Sequence, residues 1–79
     1  MTPVCLCDLA VGAVARFHEA RLDADVRDLL QALGLTPSSR LRLCKAGEPY
    51  IVQVRATRIG LSRAVAGSIY VIPESSSTR

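Results

Sequence analysis

The chain switches between two hydrophobic periods. From Gly12 it reads GAVARFHE, where Ala13, Ala15 and Phe17 share one face of a strand and Val14, Arg16 and His18 the other. Just before it, Leu6 and Leu9 stand three apart, so one helical turn points both inward. The polar stretch EARLDAD reads as a loop. Val26, Leu29, Leu30 and Leu33 then recur at i, i+3, i+4 and i+7, which predicts a helix with one continuous apolar stripe. Asp23 or Asp25 is placed to accept from a free first-turn N–H, and Asp28 is expected in the first turn, where a carboxylate suits the helix dipole. Gly34 is placed to take the left-handed conformation that ends the helix, with Leu35 folding back on Leu30. Pro37 prevents the helix from resuming.

Beyond that stop signal the period becomes two. Leu41 and Leu43 alternate with Arg40, Arg42 and Cys44. KAGEP, with Pro49, is turn material. Tyr50, Val52 and Val54 share a face, Ala56-Thr57 gives a tight reversal, and Ile59 and Leu61 alternate with Arg58, Gly60 and Ser62. SRAVAG holds at most one helical turn, after which Ile69 and Val71 alternate with Ser68, Tyr70 and Ile72. The ending ESSSTR reads as a disordered tail over residues 74–79. The prediction is a mainly β domain over residues 1–73, with about five short strands and one principal helix inserted after the first. Short strands joined by tight turns suggest a closed or partly closed barrel, since closure removes exposed edges. The helix is expected to press its stripe on one barrel opening. Gly12, Leu29, Leu30, Leu33, Gly34, Pro37, Pro49 and Leu61 are the positions expected to carry this architecture.

Composition narrows the class. At 79 residues, 49% hydrophobic and 22% charged, the chain suits one small globular domain. With no tryptophan and one phenylalanine, its core must be aliphatic. Three cysteines are an odd count that does not suit a secreted disulfide framework and fits a reducing cytoplasm. The stretch VCLCDLAVGAVA looks faintly like a signal peptide, but it lacks a basic start and Asp8 interrupts it. No apolar run approaches the ~20 residues of a membrane helix.

Charge is uneven along the chain. Acids lead in the first half, whereas from Arg40 onward only Glu48 and Glu74 oppose Arg40, Arg42, Lys45, Arg55, Arg58, Arg63 and Arg79. Arg40, Arg42, Arg55, Arg58 and Arg63, with Tyr50 or Tyr70 exposed beside them, are the candidate surface for an acidic partner or phosphates. The bland alternative is a solvated arginine-rich exterior. Nucleic acid is a weaker reading, because aromatic residues are not interleaved with the arginines and no helix-turn-helix pair is visible.

Catalytic chemistry is not signalled. His18 is the only histidine, no serine lies in a nucleophile motif, and no glycine-rich loop cradles phosphate. Metal binding is harder to set aside. Cys5 and Cys7 would face the same way in an extended segment, and with His18 they offer thiolate and imidazole donors suited to zinc or ferrous iron. Glu19 or Asp8 could complete the shell, and Cys44 also points away from the expected core. Against this, C-x-C is a weaker signature than paired C-x-x-C, and free cysteines more often simply pack.

In this order, the residues resemble the ferrous iron transport protein A family, FeoA, from about Leu6 to Val71. The resemblance rests on Leu6, Leu9 and Gly12, then Ala15 and Phe17. Its most recognisable part is Leu33-Gly34-Leu35-Thr36-Pro37-Ser38, followed by the turn Gly47-Glu48-Pro49 and the ending Leu61 to Val71. Ser38 stands where the family favours glycine, Ser62 where it favours arginine, and Val65 where it favours glutamate. The resemblance implies an SH3-like barrel, cytoplasmic, with no catalysis and no required cofactor. It implies a partner, the ferrous iron transporter FeoB with its cytoplasmic GTP-binding domain, and hence recruitment to the inner membrane without insertion. Weak self-association is compatible with it. The fold is also similar to the C-terminal SH3-like domain of iron-dependent repressors, which keeps a contact to metal open.

Overall fold

The computed structural model describes residues 2–74. Strands β1 (Val4–Cys5), β2 (Val14–Ala20), β3 (Arg40–Lys45), β4 (Tyr50–Val54), β5 (Thr57–Leu61) and β6 (Ile69–Pro73) form one antiparallel sheet in the order β1-β6-β2-β3-β4-β5. A 3₁₀ turn, Leu6–Asp8, follows β1, helix α1 (Ala24–Ala32) follows β2, and a single turn, α2 (Arg63–Ala66), lies between β5 and β6. The mainly β class with one principal helix is as the sequence predicts. Two details differ. There are six strands, because β1 has only two residues and is too short to show alternation. The end strands β1 and β5 are not paired among the described residues, so the sheet does not close into a complete barrel.

Alternation places Ala15, Phe17, Leu41, Leu43, Tyr50, Val52, Val54, Ile59, Leu61, Ile69 and Val71 on one buried face, in a single cluster with Leu6, Leu9, Leu30 and Leu35. One nine-residue helix and two single turns are too little to cover six strands, so the sheet must curl to bury this face against itself. No polar or charged residue is buried among the described residues. Two extra residues interrupt the alternation. His18 has no partner in the β2–β6 register between Phe17↔Val71 and Glu19↔Tyr70, and Cys44 has none in β3–β4 between Leu43↔Val52 and Lys45↔Ile51. Each is a bulge that re-aims the strand beyond it.

Helix α1 ends as its sequence dictates. Gly34 has φ +106°, its N–H donates to Gln31 C=O at 3.0 Å, and Leu35 N–H donates to Leu30 C=O at 2.9 Å. That pair of bonds is a Schellman stop, and the buried side chains of Leu30 and Leu35 accompany it. The stripe, however, is narrower than the spacing predicts. Leu30 is buried and Val26 half-buried, but Leu29 is 59% and Leu33 37% exposed. A helix resting on the curved sheet contacts it along one line, and 100° per residue carries Leu29 and Leu33 to the side of that line. Asp23 occupies the N-cap without a side-chain cap bond, and the helix starts early enough that Asp25, not Asp28, is the first-turn acid.

Candidate functional site

The outer face of the sheet gathers arginines because strand register stacks their positions. Arg16 of β2 lies directly opposite Arg40 of β3. One step along, Val14, Arg42, Gln53 and Arg58 form a row across β2, β3, β4 and β5. Residues opposite one another in an antiparallel sheet point to the same side, so these side chains emerge together. Glu74, just past β6, bridges the first pair. Its carboxylate accepts from Arg16 Nε at 3.1 Å and from an Arg40 terminal nitrogen at 2.9 Å. The Arg16 hydrogen bond, with Arg40 assisting, holds the Glu74 carboxyl below the usual carboxylate range. Arg42, Arg55 and Arg58 have no acidic partner among the described residues.

An open groove of about 630 Å³ runs along this face, lined by Ser38, Ser39, Arg40, Arg42, Gln53 and Arg55 among others. Two backbone positions frame it. Ser38 has φ +71° and Arg55 φ +57°, the only non-glycine residues with positive φ among those described. Arg55 begins the two-residue turn between Val54 and Thr57, one residue earlier than the sequence suggests. The Gln53 side-chain amide donates to Arg55 C=O at 2.9 Å and fixes that turn. At the other end, Ser38 N–H donates to Phe17 C=O and Phe17 N–H to Ser39 C=O, at 3.0 and 2.8 Å. The β2–β3 ladder thus continues around the turn and holds Ser38 in its left-handed conformation.

Two of the sequence-predicted contact residues lie elsewhere. Tyr50 is buried, 7% exposed, on the inner face of β4. The Cys7 thiol beside its hydroxyl pushes its pKa up, and burial adds to that. Arg63 opens α2, where its backbone N–H donates to a Glu48 carboxylate oxygen at 2.8 Å. Ser62 caps the same turn by accepting from Val65 N–H at 3.2 Å, which gives the serine at that position a structural role. Tyr70 is half-buried, with the Arg21 guanidinium 5.1 Å from its ring centroid and Arg21 itself paired to Glu19 at 3.0 Å. Neither tyrosine is an open aromatic beside the groove.

The predicted metal donors do not converge. Cys7 sits in the 3₁₀ turn rather than an extended segment, and its N–H donates to Cys5 Sγ at 3.4 Å. The Cys5 thiol points to Gly67 C=O at 3.4 Å, and burial raises its pKa above the ordinary thiol value. His18 is at the β2 bulge, exposed, lining a separate groove of about 640 Å³ between β2 and α1. Cys5, Tyr70 and Glu19 share one row, so about 10 Å, two strand spacings, separates Cys5 from Glu19. No group of three or more His, Cys, Asp or Glu side chains able to hold a metal is present among the described residues. Cys5, Cys7 and His18 are therefore not gathered into one donor set in this structure.

Sequence reasoning missed Arg16 and Glu74. Arg16 was legible as an outward position of its strand, but pairing it with Arg40 needs the β2–β3 register. Glu74 falls in the predicted tail, yet it accepts from both arginines, and its N–H donates to Val14 C=O at 3.0 Å. The rest of that predicted tail, residues 75–79, lies outside the described residues. No helix among them is long and apolar enough to cross a membrane.

Comparison with known proteins agrees with this architecture. Residues 4–73 match the FeoA domain family. No curated protein sequence matches the chain. Among solved structures, the FeoA protein from Chlorobium tepidum superposes with a TM-score of 0.87 at 23% identity, over 95% of this chain and 74% of that one. An iron uptake regulatory protein (FeoA) gives 0.82 at 21%, over 92% of this chain and 100% of that one. The IdeR protein of T. acidophilum gives 0.84 at 20%, over 94% of this chain but only 35% of that longer one.

Proposed function

The chain belongs to the FeoA domain family, and from that membership we propose that it is a non-enzymatic accessory protein of ferrous iron transport that binds a FeoB-like transporter. The observation that carries this reading is that the family match spans residues 4–73, nearly the whole described fold. A module of this kind acts through a surface. The outer arginine face and its groove supply one of suitable size and chemistry. The partner is then engaged at its cytoplasmic part, and this chain is recruited to the membrane surface without inserting into it.

Affinity capture from detergent-solubilised membranes containing a FeoB-like transporter tests the reading. The transporter is expected to be enriched on the immobilised protein, and deletion of this chain is expected to lower ferrous iron uptake. No enrichment together with unchanged uptake rejects it.

A further inference from the structure

We infer that the groove framed by Ser38 and Arg55 is a docking site for an acidic polypeptide segment, and that Glu74 is a built-in competitor at its edge. The inference deepens the reading of this chain as an interaction module and rests on it for the existence of a partner, not for the partner's chemistry.

The argument starts from what Glu74 already does. Arg16 and Arg40 are register partners on neighbouring strands, close enough for a single carboxylate to bridge both. The face therefore binds carboxylate by geometry within this molecule. Next to that pair, Arg42 lines the groove, and Arg58 stands just beyond the lining on the same outer face, two strands over with Gln53 between them. Two strand spacings make about 10 Å, too far for one carboxylate to span. Arg55 adds a third cation at the groove's end. Neutralising all three takes several acids on one chain, which a free monovalent anion does not supply.

The backbone points to the same place. An arginine at positive φ in a two-residue hairpin turn stands where glycine is favoured, and Ser38 stands at a second such position lining the same groove. Strained positions of this kind cluster at ligand clamps and switch regions.

The absence of open aromatics separates the candidate occupants. Single-stranded nucleic acid is held by base stacking as well as by phosphate contacts. Phe17 and Tyr50 are buried and the Tyr70 ring is covered by Arg21, so this face offers no stacking platform. A second copy of the chain is less suited too. The acids around the start of α1 are interspersed with Arg21 and Arg27, and Arg21 already holds Glu19.

The test is fluorescence anisotropy with the full chain and a labelled peptide of repeated Glu-Glu-Ser units, against the same peptide with Gln for Glu. Saturable binding of the glutamate peptide alone, weakening as salt rises, is expected. Arg42→Glu/Arg58→Glu should weaken it at least about tenfold, since close charge pairs at interfaces couple strongly. Arg21→Glu/Arg27→Glu, the same change of net charge away from the groove, should have a much smaller effect. Glu74→Gln should tighten binding about two- to fivefold, the scale of one exposed ion pair released. Equal losses in the two double reversals, tighter binding of a single-stranded oligonucleotide than of the peptide, or self-association abolished by Arg42→Glu/Arg58→Glu each overturn the proposal, as does no saturable binding. Peptide binding with neither transporter capture nor a change in iron uptake on deletion rejects the transporter reading and leaves this one standing; capture that survives Arg42→Glu/Arg58→Glu does the reverse.

Discussion

Leu35 donates its backbone N–H to the carbonyl of Leu30 over 2.9 Å, and both side chains are buried beneath that bond. The helix end is therefore fastened twice, once through the main chain and once through the core. Leu30→Ala should destabilise the fold by about 2–5 kcal/mol, the range for truncating a buried leucine. Leu29→Ala, one position away but 59% exposed, should change stability by less than about 0.5 kcal/mol. Urea unfolding of the two variants checks the contrast. Equal effects would mean that the helix faces the sheet differently.

The positive φ of Ser38 sets the sign of a substitution there. Ser38→Gly removes a left-handed strain of about 1–2 kcal/mol, and the greater freedom of glycine in the unfolded chain offsets about 0.4–1 kcal/mol of that gain. The net is a small stabilisation, readable as a raised melting temperature. Arg55→Gly should stabilise for the same reason but weaken acidic-peptide binding, because the guanidinium is lost with the strain.

Ser62 and Glu48 share the start of α2. Ser62→Ala should cost about 1 kcal/mol, as for other lost N-cap hydroxyls. In thermal melts Ser62→Gly should lose much less, since glycine is tolerated at an N-cap.

Acid should loosen the strap at residue 74. The Glu74 carboxyl is held below its ordinary value by Arg16 and then Arg40, so the folded state binds its proton less readily than the unfolded chain. Its stabilising contribution is present above the unfolded-state pKa and is lost as pH falls through the folded-state value. The stability difference between the parent and Glu74→Gln, measured by urea unfolding across a pH series, should shrink toward zero at the acid end.

The Cys5 thiol runs the other way. Burial raises its pKa, so the folded state favours the neutral thiol, and the associated stability is full below the unfolded value and declines as pH rises past it. Near pH 8, alkylation of Cys5 followed by mass spectrometry should be slower in the folded protein than in the urea-unfolded chain.

Much of the scaffold was legible because it is written in local chemistry. The Gly34–Leu35 stop, the inward leucines of β3 and the single turn at α2 each follow from a few neighbouring residues. What escaped depends on distant partners. Leu29 and Leu33 match helical spacing, but which part of the helix touches a curved sheet is set by the sheet. Tyr50 alternates with Val52 and Val54, and that inward phase, rather than the exposed aromatic expected beside the arginines, is what the structure shows. The Arg16–Glu74–Arg40 bridge joins three segments and no local pattern announces it. The candidate groove is half visible in the sequence: Arg40, Arg42 and Arg55 line it, Arg58 stands beside it in the row across the sheet, and Arg63 opens α2 instead.

The bulge at His18 has a consequence for how such chains can change length. Leave out position 18 and the buried residues of β2, Ala15, Phe17 and Ala20, fall into unbroken alternation with Arg16 and Glu19. A one-residue deletion inside a strand normally inverts every side chain beyond it. Here it would restore phase and remove only an exposed histidine. Position 18 is thus a place, within regular structure, where relatives can differ by a gap without rewriting the core.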